Sequence, residues 1–567
     1  MWKPPIDWLS GVTLTLRHVL FFTPLALVGL GVEAVYPSGA AFRGLLAYVY
    51  YGVVGLFALR LVLDFWRAAS KLAFFRTHAF NALLLLPLPL AGDGVRISIG
   101  LIALRQTPDL IRFLSPSPGP RRRLRAPRFT PARVVTASFA GTILVGTLLL
   151  TLPVATRDSQ GTPMLDALFT ATSAVCVTGL TVLDTPVHFS TFGQVVLMGL
   201  MQVGGLGIMT FSTFLAITLQ RRMGMQDRLI MQDLLEEPNI ETLKSMIVGI
   251  LKMTFIIEAV GVLVLAWAWY ATGESLWAAL YLGAFHSIAA FNNAGFALFS
   301  DNLMQYRGDI LINLAITSLI IVGGLGFVVI STLPQLRFWG KPRVRRLPCH
   351  SRIVLWTTAI LLVSGTLLFL LAEAGKTMAE FSWSERLLAA YFLAVTPRTA
   401  GFNTVDTGAL TDLSLFITII LMFVGASPAS TGGGVKTSSI ALLVLSVRAI
   451  LRKREEVEVF YRTIPRETVH KALVIITLSF SLINLFTILL LLTDEAPFLP
   501  TMFEVVSAFG TVGLSMGLTP SLTAAGKVII IIVMFIGRIG PLTMALALGE
   551  RQDSARFAYP SERVMVG

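Results

Sequence analysis

Ala171-Thr-Ser-Ala-Val-Cys-Val-Thr-Gly-Leu180 is a short apolar run closing on a glycine turn, and three later stretches repeat its form. They are Ala289-Ala-Phe-Asn-Asn-Ala-Gly-Phe296, Leu393-Ala-Val-Thr-Pro-Arg-Thr-Ala-Gly-Phe402 and Val506-Ser-Ala-Phe-Gly-Thr-Val-Gly-Leu514. Each ends in a four-residue motif with glycine third: Val177-Thr178-Gly179-Leu180, Asn293-Ala294-Gly295-Phe296, Thr399-Ala400-Gly401-Phe402 and Thr511-Val512-Gly513-Leu514. The glycines are spaced by 116, 106 and 112 residues. A near-constant period marks a repeated structural unit. We read the four stretches as pore loops around one ion path.

The composition agrees. Of 567 residues, 55% are hydrophobic and 14% charged, where a soluble chain carries about a quarter charged residues. Many apolar runs approach the ~20 residues that span a bilayer, so the expected class is an all-α polytopic membrane protein. Cys176 and Cys349 are the only cysteines and imply neither a disulfide framework nor a metal site. No cleavable signal pattern stands at the N-terminus. The net charge of +13 is read as arginine-rich cytoplasmic loops, not as a nucleic-acid surface.

Six segments are expected. Residues 1–125 form an accessory helical domain with apolar runs near 13–35, 45–66, 79–91 and 95–114. Its arginines lack the every-third spacing of a voltage sensor. A Pro/Arg linker, Ser115-Pro-Ser-Pro-Gly-Pro-Arg-Arg-Arg-Leu-Arg-Ala-Pro127, follows. Pore repeats then occupy 126–220, 221–335, 336–450 and 451–550, and a polar cytoplasmic tail covers 551–567. Each repeat reads helix, pore loop, helix. The first helices are expected at 133–152, 246–269, 352–372 and 469–492, and the second at 191–219, 309–334, 413–447 and 525–549. Between them, short helices near 164–176, 277–290, 385–395 and 501–508 descend to the motifs without crossing. Segments joining the repeats hold 24 Lys and Arg, against 6 on the pore-loop sides. The pore loops therefore enter from outside and the basic loops face the cytoplasm.

Non-helical backbone at lipid depth survives only where it lines a cavity or is buried in protein. Stripping water from a monovalent cation requires replacement oxygens, which a ring of backbone carbonyls supplies. Glycine reaches the positive φ that turns those carbonyls inward, which accounts for Gly179, Gly295, Gly401 and Gly513. Descending helices aim their negative C-terminal ends at the path. Asp166, Glu385 and Glu504 near the helix starts are read as capping acids. Asp184, Asp301 and Asp406 follow the motifs; an acidic outer mouth and solvated loop acids are both open.

At these residues the chain resembles the potassium-translocating subunit of the Ktr/Trk/HKT superfamily, nearest the Ktr type. Phe169 to Val182, Phe285 to Phe296, Thr396 to Thr404 and Phe503 to Ser515 carry the resemblance, which covers about 130–550 and not the first 125 residues. It implies four repeats in pseudo-fourfold arrangement around one potassium pore and a homodimer of such pores in the inner membrane. It also implies a cytoplasmic regulatory ring of the RCK/KTN type, with any nucleotide bound on that partner. Transported K+ would sit at the filter residues. Glycine at Gly179, where sodium-favouring plant relatives carry serine, favours potassium; Na+ as a modulator stays open.

The second helix of the third repeat is interrupted by Gly425-Ala-Ser-Pro-Ala-Ser-Thr-Gly-Gly-Gly-Val-Lys-Thr437. Its glycines and proline cannot continue a helix, and its apolar flanks keep it at membrane depth. The resemblance makes it an intramembrane gate, with Gly425, Ser427, Ser430, Thr431, Gly432, Gly433, Gly434 and Lys436 as gate residues. Lys436 also suits a plain helix anchor. Arg538, inside the last helix, is too costly to face lipid. The resemblance makes it a gate contact and electrostatic barrier, and a snorkelling end-of-helix arginine is the rival. Gly204-Gly-Leu-Gly207 and Gly323-Gly-Leu-Gly326 are read as sites of close helix packing, with helix bending as the alternative, and not as dinucleotide loops.

Two other classes were weighed. Coupled secondary transporters also have broken helices, but usually paired, inverted repeats. A membrane enzyme would need a convergent nucleophile or metal set, and the six histidines are scattered. His286 is read as a hydrogen-bonded packing residue. A sodium-coupled or sodium-selective transporter of the same superfamily is the remaining alternative.

Overall fold

The structure is a computed structural model, and it describes residues 131–220, 240–333, 347–541 and 543–544. The expected accessory domain at 1–125, the tail at 551–567 and most of two basic loops lie outside the described residues.

Helix α1 (Pro131–Leu150) leads to α2 (Met164–Val175) and α3 (Thr191–Gln220). Helices α4 (Ile240–Ala271), α5 (Leu276–Asn292), α6 (Ile310–Leu325) and α7 (Phe327–Thr332) follow. Next come α8 (Cys349–Glu373), α9 (Trp383–Val395), α10 (Asp412–Phe423) and α11 (Thr437–Leu451). The chain ends in α12 (Arg466–Thr493), α13 (Phe498–Gly510) and α14 (Ala524–Ile539). A hairpin of β1 (Val457–Val459) and β2 (Arg462–Ile464) interrupts the last basic segment, pairing Val457 with Ile464; the sequence reading had only a loop there.

Three segments among the described residues, Ile247–Ala271, Cys349–Glu373 and Arg466–Thr493, are long and apolar enough to cross a membrane. At about 1.5 Å per residue, 25 residues reach past a ~30 Å hydrocarbon layer. Only 22–28% of each apolar window is buried inside the protein. Phe255, Leu263, Trp356, Val363, Phe480 and Ile488 point outward, a surface suited to lipid and costly in water.

The short helices are different: α2, α9 and α13 run 12 or 13 residues, too short to span. They fill the interior, where Phe169, Phe285, Phe392 and Phe503 are fully buried. Sequence sets their starts. Ser275 accepts from Ala278 N–H at α5, Ser382 and Glu385 form a capping box at α9, and Pro163 and Pro497 precede α2 and α13. Each satisfies or removes an orphan N–H donor.

Two long helices expected as continuous are not. The run at 309–334 breaks between α6 and α7 at Gly326 (φ +88), and the run at 525–549 is interrupted at Gly540 (φ +90), with helix resuming at Pro541. A Cβ on Gly326 would stand 2.5 Å from the Pro428 carbonyl oxygen, because the loop between α10 and α11 packs into that break. The break expected in the third repeat falls between Phe423 and Thr437.

Candidate functional site

The four motifs converge. A Cβ on Gly179 would stand 2.5 Å from the carbonyl oxygen of Ala294 and 3.0 Å from Cα of Gly295. On Gly295 it would lie 3.0 Å from both the Ala400 oxygen and Gly401 Cα, and on Gly401 2.5 Å from the Val512 oxygen. On Gly513 it would collide with the Thr178 oxygen and lie 3.0 Å from Gly179 Cα. The cycle closes: each glycine faces the carbonyl preceding the glycine of the next motif. All four glycines have positive φ, from +71° to +95°.

The first motif residues, Val177, Asn293, Thr399 and Thr511, are also left-handed, with φ between 50° and 69°. The sequence reading missed this. Asn293 was the available signal, because Asn is enriched there; β-branched Val177, Thr399 and Thr511 gave none. Such backbone costs of order 1–3 kcal/mol per residue and persists where surroundings over-determine it. Here they do, since all four side chains are buried.

Above the glycines opens a cavity of about 210 Å³ whose lining includes Asp184, Asp301 and Asp406. The three acids thus share one chamber with the glycine ring. Of the expected capping acids, Glu385 caps its helix. Asp166 pairs with Lys527 at 2.6 Å. Glu504 does not cap. It is fully buried within α13 and accepts from the Ser515 hydroxyl, Met516 N–H (3.2 Å) and Thr519 hydroxyl (2.7 Å), tying down the segment after the fourth motif.

Beneath the ring lies the loop between α10 and α11. Gly425 N–H bonds Val435 oxygen at 2.9 Å, Ser427 N–H bonds Gly324 oxygen at 3.0 Å, and Thr431 N–H bonds Gly323 oxygen at 3.3 Å. The Thr431 hydroxyl donates to Phe291 oxygen and Gly433 N–H to the Thr511 hydroxyl at 3.1 Å. Gly432 packs against Thr399, and Gly434 N–H reaches Gly537 oxygen. The Ser430 hydroxyl closes on Ser427 within the loop. Lys436 Nζ donates to Gly432 oxygen at 2.7 Å, so it closes the loop on itself.

Arg538 is 2% exposed and does not snorkel. Its guanidinium donates to the Thr431 oxygen, and at 2.7 Å to the Gly204 oxygen. One arginine therefore staples the loop between α10 and α11 to α3.

The GGLG stretches do two things, the first of which Gly537 of α14 shares. Gly204, Gly323 and Gly537 each press against a carbonyl at the end of a short helix, namely Val175, Phe291 and Phe509, which is close packing. Gly326 is the helix break. His286 is fully buried, with Nδ1 on Leu282 oxygen at 2.8 Å and Nε2 accepting from Leu298 N–H at 3.3 Å, so it ties α5 to the irregular segment after its motif. Not anticipated was a buried polar set behind the second motif. Gln202 and Asn292 both donate to the Glu258 carboxylate at 3.1 Å, and Asn292 also donates to Gln202 at 2.9 Å. A lone glutamate in the apolar run 246–269 was the signal.

The model of the TrkH family, described as cation transport protein, matches residues 128–557. The chain is 41% identical to Ktr system potassium uptake protein B of Bacillus subtilis over 449 residues, covering 78% of this chain and 97% of that one. It is 42% identical to the Vibrio alginolyticus protein of the same name, covering 77% of this chain and 94% of that one. It is 36% identical to potassium/sodium uptake protein NtpJ of Enterococcus hirae, covering 79% and 99%. Its fold is similar to the crystal structure of the potassium transporter TrkH from Vibrio parahaemolyticus, with TM-score 0.61 at 17% identity, covering 83% of this chain and 96% of that one. The glycine period, the helical membrane architecture and this match lead to one assignment: the chain belongs to the TrkH family of cation transport proteins, on its Ktr side.

Proposed function

We propose that the chain takes up potassium across the cytoplasmic membrane along an axis through Gly179, Gly295, Gly401 and Gly513, with four pore repeats in pseudo-fourfold arrangement around it. The observation carrying this reading is the closed cycle in which each glycine faces the next motif's carbonyl. Carbonyl oxygens so gathered replace a cation's water shell. Four short helices ending at the motifs add negative potential, and Asp184, Asp301 and Asp406 in the chamber above raise local cation concentration. The filter then comprises residues 177–180, 293–296, 399–402 and 511–514.

The loop at 425–436 is the gate in this reading and Arg538 its latch, because the loop packs against Thr399 and bonds Thr511, the residues that open the third and fourth motifs. The basic loops face the cytoplasm, where a ring of the RCK/KTN type would bind nucleotide and act on the gate, and two chains pair as a homodimer. The names of the Bacillus and Vibrio relatives support potassium as cargo. The Enterococcus relative, named for potassium and sodium, favours one second reading, in which sodium accompanies or modulates the flux.

Gly179→Ser tests the filter. Its new Cβ would press on the Ala294 oxygen, and we expect potassium preference over sodium to fall about tenfold or more, equivalent to about 1.4 kcal/mol. Uptake of potassium, rubidium and sodium by a potassium-auxotrophic host reads it. An unchanged preference in an inserted protein would overturn the assignment.

A further inference from the structure

Two fully buried serines, Ser173 and Ser507, lie six residues before the glycines of the first and fourth motifs. The Gly179 N–H donates to Ser173 Oγ at 3.0 Å, and the Gly513 N–H to Ser507 Oγ at 3.1 Å. We infer that these hydroxyls are positioning residues for ion selection, latching the peptide planes whose carbonyls face the ring; this rests on the proposed filter.

The geometry gives the reason. A trans peptide is planar, with N–H and C=O on opposite edges. In the Thr178–Gly179 plane, holding N–H against the short helix turns the Thr178 oxygen the other way, to where Gly513 meets it. The Val512–Gly513 plane repeats this, its oxygen meeting Gly401. Rotating either carbonyl off the axis would first break a buried hydrogen bond.

The latch is confined to one side of the ring. Ala289 and Val395 hold the corresponding positions in the second and third repeats and carry no hydroxyl. The turn itself is shared by three repeats: Thr178 N–H bonds Ser173 oxygen at 2.8 Å, Ala294 N–H bonds Ala289 oxygen at 2.7 Å, and Val512 N–H bonds Ser507 oxygen at 2.8 Å. In the third, Ala400 N–H bonds Thr396 oxygen at 3.0 Å instead. A serine at 289 would therefore meet the Gly295 N–H as Ser173 meets Gly179.

The test is potassium-over-sodium preference of the full chain in liposomes, under mixed-ion gradients. Ser173→Ala and Ser507→Ala should each lower it about fivefold, the factor carried by one net hydrogen bond. Ser173→Thr, keeping the hydroxyl, should stay within about twofold of the parent. Gly179→Ser serves as the comparator. Unchanged preference in both alanine variants, with Gly179→Ser shifted, would refute the latch and spare the filter; no shift in any variant would refute both. Should the alanine variants fail to insert, Ala289→Ser decides: a raised preference supports the latch, and an unchanged one overturns it.

Discussion

One methyl group separates tolerated from forbidden positions along α3 and α14. A Cβ at Gly537 would run into the Phe509 carbonyl, whereas one at Gly199 meets nothing within 4 Å. We expect Gly537→Ala to destabilise the protein by about 1–3 kcal/mol, and Gly199→Ala to be neutral or stabilising by up to ~1 kcal/mol. Thermal melts in detergent would check the pair, and equal shifts would contradict the packing described. Sequence reading fares unevenly at this scale. Gly179 and its three equivalents were legible because glycine's backbone freedom leaves a periodic mark. Left-handed Val177, Thr399 and Thr511 were not, since β-branched residues give no local sign of a conformation imposed by their neighbours. The Gly179–Ser173 hydrogen bond was hidden too: serine inside a short apolar helix reads as filler until the extended segment after it is placed against it.

Two helix breaks meet in this molecule, and composition announces one of them more plainly than the other. Between α10 and α11, glycines and proline at 425–434 made the interruption plain from sequence. At Gly326 the run 309–334 offered only the Gly323-Gly-Leu-Gly326 stretch, read first as a packing site with bending as the alternative, and the break is held by a tertiary contact, the Phe327 N–H bonding Ala429 oxygen at 2.9 Å. The two breaks are coupled, each receiving the other's backbone. Removing Ala429 to Gly433 should therefore raise uptake that no longer depends on a partner ring, measured as rubidium flux with and without that ring; lost flux in a folded protein would argue against a gate. Arg538→Gln isolates one tie. It loses charge-assisted bonds to the Thr431 and Gly204 oxygens, each worth about 1.5–3 kcal/mol. We expect higher basal flux, and flux equal to the parent would remove Arg538 from the latch.

At the scale of the whole molecule, polar contacts link the four motif-bearing segments in chain order and then the last to the first. Tyr281 donates to Gln194 at 2.7 Å, Leu303 N–H to Asn403 oxygen at 3.1 Å, and Gly433 N–H to Thr511. Lys527 with Asp166 closes the circuit at 2.6 Å, both side chains 17% exposed. Being mostly shielded, that pair should couple by about 1–3 kcal/mol, between exposed and fully buried pairs. A double-mutant cycle with Lys527→Ala and Asp166→Ala, read as melting temperature, would measure it; no coupling would make the contact incidental. The order of long and short helices was legible at this scale because hydropathy survives in one dimension. Which residues bridge distant repeats was not, as Asp166 and Lys527 lie 361 positions apart.

On the proposed filter, the carbonyls of Thr178, Ala294, Ala400 and Val512, each set against a neighbouring motif's glycine, would bring like ends of their dipoles together. A cation settling among them would offset that repulsion and so hold the ring as well as pass through it. By mass action, potassium at a hundred times its dissociation constant should add about 2.7 kcal/mol to folding stability. The protein should then melt at a lower temperature in N-methylglucamine than in potassium or rubidium, and Gly179→Ser should flatten that difference.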